Sequence, residues 1–170
     1  MIRKGVLLLT IAALLWTGIV FSQGKEKESK FAIGFQDCFP TFGISGMINL
    51  DKNLSIQGIV GFLGDLKSYG GRVLYRFTVE DYWNAYAYGM LGAWSYTGFA
   101  IDDEWHLTET TETVFGFGGG VGIEYSMQAL SPKLPPIFWN LEVGVGSVSF
   151  SEVDYDFSAF MLGCGAHFRF

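Results

Sequence analysis

The chain has 170 residues, of which 49% are apolar, 17% aromatic and only 16% charged, with 23 glycines, 2 cysteines and a formal net charge of −6. That length permits one domain of ordinary size. The aromatic content excludes intrinsic disorder, glycines without a three-residue period exclude a collagen-like helix, two cysteines exclude a disulfide scaffold, and the negative balance excludes a nucleic-acid binder.

Arg3 and Lys4 precede an uncharged run from Gly5 to Ser22, the positive region and apolar core of a secretory signal peptide. We place the cut before Gln23, so residues 1–22 form the address and residues 23–170 the exported domain. The alternative is an uncleaved anchor, because the run approaches the minimum spanning length. Removal would leave 170 − 22 = 148 residues with a charge of −8. Gly24 to Lys30 is a charged leader with no packing face.

From Phe31 onward the apolar residues recur at every second position, which is the period of a strand. Eight strands are predicted: Phe31 to Cys38, Thr41 to Leu50, Leu54 to Leu63, Arg72 to Val79, Trp83 to Tyr96, Phe115 to Tyr125, Trp139 to Gly146, and Phe160 to Phe170. Polar or breaker-rich turns separate them at Asp51 to Asn53, Asp65 to Ser68, Glu80-Asp81, Ser131 to Pro136 and Ser151 to Asp154. Tyr82 to Ile101 carries no charge over twenty residues and could cross a bilayer as a helix, but its Tyr, Trp and Gly content and missing caps favour a strand.

The face opposite the apolar one decides the class. In a soluble sandwich it would be polar and solvated. Here it is glycine with a few charges, as at Gly116, Gly118, Gly120 and Gly122 opposite Phe115, Phe117, Val121 and Ile123. Glycine in alternation weakens a strand, so a soluble sheet gains nothing from it. Inside a small barrel the same glycines leave room for long side chains from the opposite wall. Most of these strands reach ten residues, the length that crosses a bilayer at a tilt. The predicted fold is therefore all-β: an eight-stranded antiparallel up-and-down transmembrane barrel, with the apolar face towards lipid. Its periplasmic aromatic belt is Phe77, Trp83, Tyr125, Trp139, Phe168 and Phe170, and its outer belt Phe62, Tyr69, Tyr96, Phe115 and Phe150.

These features resemble the small OmpA/OmpX-type outer-membrane barrels of Gram-negative bacteria. The last strand ends in Gly163-x-Gly165-x-x-Phe168-x-Phe170, which looks like the C-terminal signal read by the barrel-assembly machinery in such proteins. The resemblance implies residence in the outer membrane, with lipid and the assembly machinery as partners. It leaves the activity open, since the family includes structural, adhesive, pore-like and enzymatic members.

Within the barrel, Arg72, Arg76, Glu124, Glu142, His167 and Arg169 fall on the inward face, and we expect them to pair across the lumen as a plug. The alternative for this cluster is a gated proton or ion site. The longest outer loop is predicted at Thr97 to Thr113 and carries Asp102, Asp103, Glu104, Glu109 and Glu112 without Lys or Arg. We read it as a solvated acidic tip; a calcium site is the sharper alternative, but the EF-hand spacing is missing. Neither a metal site nor a cofactor is expected. A lipid-A-modifying enzyme would need a histidine beside a serine and an acid. His106 lies on the outer loop and His167 faces the lumen, and no spacing joins either to a nucleophile. Cys38 and Cys164 lie on the first and last strands, at heights that we expect to mismatch, so both are read as free thiols. The functional reading is a structural or surface-interaction barrel with a closed lumen, displaying acidic loops to envelope or host ligands; the alternatives are a narrow porin and the lipid enzyme.

Overall fold

A computed structural model describes residues 29–38, 41–101, 107–150 and 155–170. The chain forms eight antiparallel strands: β1 Phe31–Cys38, β2 Thr41–Asn49, β3 Leu54–Leu63, β4 Leu66–Val79, β5 Trp83–Ile101, β6 Leu107–Ser126, β7 Ile137–Phe150 and β8 Tyr155–Arg169. Each pairs with the next, and β1 pairs with β8 to close the barrel. Closure gives backbone N–H and C=O groups partners within the wall, the condition for crossing hydrocarbon with strands.

The register fixes the stagger. Successive partners from Ala32 run through Met47, Gln57, Arg72, Met90, Gly118, Gly146 and Ala159, whereas Ala32 itself pairs with Arg169. The displacement is 169 − 159 = 10 residues, the shear of the barrel. Eight strands with this stagger tilt by roughly 35–45° and leave a lumen only wide enough for side chains.

Alternation sorts the residues as expected. Phe31, Ile33 and Phe35 of β1, Val73, Tyr75 and Phe77 of β4, and Leu141, Val143 and Val145 of β7 face outward and are exposed, while Gln36, Arg72, Arg76, Glu142 and Met161 face inward and are buried. From Tyr125 to Phe115, both outward on β6, the chain climbs ten residues, a rise of about 25 Å at ~3.3 Å per residue and this tilt. That matches the apolar band of outer-membrane barrels. The start of β1 and the end of β8 lie at one end of the barrel, and Phe31, Phe168 and Phe170 stack beside the β1–β8 seam, with ring centroids 6.3 Å and 6.2 Å from Phe170.

Four expectations need correction. β4 starts at Leu66 rather than after Ser68, because Gly64, with φ of +59°, completes the reversal within two residues. The expected loop Thr97 to Thr113 is mostly ladder: β5 and β6 stay paired to Ile101 and Leu107, so Glu109 and Glu112 are strand residues opposite Phe99 and Tyr96. Threonines on both strands sustain it, with Thr97 Oγ1 3.0 Å from Thr111 Oγ1. Tyr96, expected in the outer lipid belt, shares the inward parity of Trp94. Finally, Asp37 and not Cys38 pairs with Cys164. The thiols are near one height but on opposite faces, Cys38 buried in the lumen and Cys164 outward; both are free.

The wall is uneven. β1 ends at Cys38 and β2 begins at Thr41, while β5 and β6 run 19 and 20 residues. Residues 127–136, long for a turn on the terminal side, open with a 3-10 turn at Met127–Ala129 capped by Ser126, whose Oγ accepts from the Gln128 N–H. The predicted signal segment lies outside the described residues, as do Asp102, Asp103, Glu104 and His106.

Candidate functional site

Among the described residues charged side chains gather in the lumen, which is built in layers. Nearest the termini, Glu124 Oε1 accepts from Arg76 Nε at 2.6 Å and from Asn84 Nδ2 at 2.7 Å, and pairs with Arg169 Nη2 at 2.6 Å. Arg76 also donates to Ser55 Oγ at 2.6 Å, and the guanidinium of Arg169 lies 3.7 Å from the centre of the Phe138 ring.

The next layer centres on Glu142. Its Oε1 accepts from Arg72 Nη2 at 2.7 Å, from Asn140 Nδ2 at 3.0 Å and from the Tyr86 hydroxyl, and its Oε2 accepts from Gln36 Nε2 at 3.2 Å. Both side chains of the Arg72–Glu142 pair are wholly buried. Among the described residues Nε and Nη1 of Arg72 have no hydrogen-bond partner; the guanidinium instead stacks 4.1 Å above Tyr88, whose hydroxyl lies 3.4 Å from Cys38 Sγ. Farther from the termini the filling turns apolar, with Met90, Met161, Trp94 and Val148 all buried.

Glycines make the room. A Cβ at Gly122 would come within 2.7 Å of the Tyr86 ring, one at Gly144 within 2.7 Å of the Tyr88 hydroxyl, and one at Gly116 within 2.8 Å of Trp94. The bulky residues of β5 therefore lie flat against the glycine wall of β6 and β7. Gly165 serves the same purpose in the final strand, where a Cβ would meet Gln36 Oε1 at 2.6 Å, while Gly163 backs onto Cys38.

Five of the six residues expected in the plug thus meet as two clusters, Arg72 with Glu142, and Arg76 and Arg169 with Glu124. His167 does not join them as an ion pair, contrary to expectation. Its Nε2 lies 2.6 Å from Ser45 Oγ and 3.0 Å from Gln57 Nε2, because β1 and β2 bring Ser45 round the seam towards β8. The sequence reading missed this serine–histidine contact: the two residues lie 122 positions apart, and only closure of the barrel joins them. Gln36, Tyr86, Asn84 and Asn140, also absent from the expected set, are inward by parity and could have been found by it. Of the acidic cluster, Glu112 lies on β6 at intermediate burial, and only the backbone of Glu109 is described. Phe168 and Phe170, the aromatic part of the terminal motif, face outward beside Phe31.

The sequence pattern of the outer membrane protein beta-barrel domain family matches residues 16–168. The chain belongs to this family. It is accordingly a multi-strand protein of the bacterial outer membrane. Among solved structures, the barrel is similar to the Neisserial surface protein A, with a TM-score of 0.50 and 13% identity over 82% of this chain and 93% of that one. It is also similar to the outer membrane protein Ail of Yersinia pestis, with a TM-score of 0.42 and 14% identity over 84% of this chain and 100% of that one. No curated protein matches the chain significantly.

Proposed function

We propose that this outer-membrane barrel is a structural or surface-interaction protein whose lumen is closed to solutes. The observation that carries the reading is the double plug: Glu142 with its four donors and Glu124 with its two arginines fill the section between β1, β4, β5, β6, β7 and β8, capped by packed Met90, Met161, Trp94 and Val148. A pore would need a continuous wet path, and buried pairs of this kind resist separation because each partner would be left as an unpaired buried charge. The protruding β5–β6 ribbon and the acidic segments near it then form the surface offered to envelope or host ligands, with both termini in the periplasm. Residues 1–22 serve as the export signal, and Gly163, Gly165, Phe168 and Phe170 as the segment presented to the assembly machinery.

An enzymatic role is not favoured. Ser45 and His167 are 1% and 4% exposed, so no lipid can reach the one serine–histidine contact among the described residues. The test is electrical. In a planar bilayer the purified barrel should give no steps above background, while a folded control is verified by a mobility difference on gels before and after boiling. Sustained unitary conductance from the folded form would sink the closed-lumen reading.

A further inference from the structure

The outward face of β4, β5 and β6 changes character at the far edge of the apolar band. One register row crosses it with Tyr69, Ala93 and Phe115; the next holds Lys67, Ser95 and Thr113, beside Phe62 of β3; the row beyond pairs Thr97 with Thr111. Phe62, Tyr69 and Phe115 are exposed, and Phe62 meets Tyr69 edge-on at 6.3 Å, as aromatic residues do at a membrane boundary. Immediately above them the four hydroxyls are ordered in pairs, Thr113 Oγ1 donating to Ser95 Oγ at 3.1 Å and Thr97 Oγ1 lying 3.0 Å from Thr111 Oγ1.

Lys67 stands out by charge. Of the six Lys and Arg after Phe31, Arg72, Arg76 and Arg169 face the lumen, and Lys52 and Lys133 lie in connections at the terminal end. Lys67 alone lies at the far end, exposed, and forms no ion pair among the described residues. A lysine at this depth lays its stem along the apolar wall and holds its ammonium in the headgroup layer. Its register partners on this face are Ser95 and, on the next strand, Thr113, and among the described residues no other cation lies on this face.

We propose that Lys67 with Ser95 and Thr113, supported by Thr97 and Thr111, forms a binding site on the outer wall for the phosphate headgroup of an outer-leaflet lipid. The ammonium supplies the charge-assisted bond, the hydroxyls supply neutral donors to the remaining phosphate oxygens, and Phe62, Tyr69 and Phe115 bed the acyl chains below. The site is independent of the lumen and holds whether or not the barrel conducts.

The test is native mass spectrometry of the chain purified from outer membranes, in detergent doped equally with dioleoyl phosphatidic acid and dioleoyl phosphatidylcholine. Phosphatidic acid should be retained about tenfold over phosphatidylcholine, and Lys67→Gln should bring the two within about twofold, the scale of one charge-assisted bond. Ser95→Ala with Thr113→Val should lower the preference about threefold with an unchanged gel shift on boiling, and Lys133→Gln should leave it intact. Equal retention of the two lipids, or a preference that survives Lys67→Gln in the folded barrel, overturns the assignment. So does displacement of the lipid by millimolar inorganic phosphate, which would make this a site for the free anion.

Discussion

The buried pair Arg72–Glu142 allows a test of what holds the lumen together. The two charges lie about 4 Å apart between centres, and at an effective dielectric of about 20 their attraction is about 4 kcal/mol. Removing either partner forfeits that attraction and leaves the other charge buried, so Glu142→Leu and Arg72→Met should each destabilise the barrel by about 3 to 5 kcal/mol. Removing both avoids the stranded charge. The double variant should then cost much less than the sum, giving a coupling energy of about 3 kcal/mol in a double-mutant cycle. Unfolding in urea from phospholipid vesicles, followed by tryptophan fluorescence and by gel mobility, supplies the four free energies. Tyr86, Asn140 and Gln36 also donate to Glu142 and will lose an acceptor in both Glu142 variants, so their contribution cancels around the cycle to first order. Additivity within about 0.5 kcal/mol would show that the pair is uncoupled and that the packing of Tyr86 and Tyr88, rather than the ion pair, seals the section.

Gly122→Val should destabilise by about 2 kcal/mol or more and lower refolding yield, because the new Cβ falls 2.7 Å from the Tyr86 ring, whereas Gly46→Ala, outward with no atom within 4 Å, should be neutral or slightly stabilising in the same urea titration. Asp37 is an outward carboxylate that continues the lipid-facing column Phe31, Ile33, Phe35 near the end of β1; Asp37→Leu should raise stability in vesicles by about 1 kcal/mol, read as a later urea midpoint. Asp51, in the β2–β3 turn, accepts from the N–H groups of Leu54 and Asn53, which hold its carboxyl below the usual carboxylate range. A lowered folded-state value means that its contribution is present above the ordinary carboxylate range and is lost as pH falls through the lowered one, so Asp51→Asn should lower stability at neutral pH, flatten the acid end of the stability profile and converge with the wild type in strong acid.

The fold was legible because two independent signals agree in this chain. Period two alone would also describe a sandwich; what distinguishes the barrel is that the non-apolar face is glycine at Gly116, Gly118, Gly120 and Gly122 and at Gly144 and Gly146, a pattern useful only where something bulky lies opposite. Tyr86, Tyr88 and Trp94 are that filling, and their inward parity follows from Asn84 onward along β5. The ends of the strands were less legible. Thr108, Thr110, Thr111 and Thr113 alternate with acids and read as loop, yet threonine favours a pleated ladder, and β5 supplies a partner at every position to Ile101. The site was legible in its charges and illegible in its partners. Arg72 could be placed inward by counting, but that it would meet Glu142, 70 residues away, depends on a stagger no local pattern contains. The Ser45–His167 contact is of the same kind.

That stagger is itself specified by the charges inside. Slipping any strand by one residue exchanges its faces, and in a barrel whose lumen and exterior were both apolar such a slip would cost little. Here a one-residue slip of β4 would swing Arg72 and Arg76 into hydrocarbon, at about 2 to 4 kcal/mol for each near the midplane. The same slip would bring Val73 and Tyr75 into the lumen, where Glu142 and Glu124 would lose their counter-charges. On β6 and β7 it would expose Glu124 and Glu142 and press Val121, Ile123 and Val143 against Tyr86 and Tyr88, a space that only glycine now leaves open. Glycine and charge therefore act together. Glycine limits which residues fit inside and charge limits which can face out, so one register satisfies both.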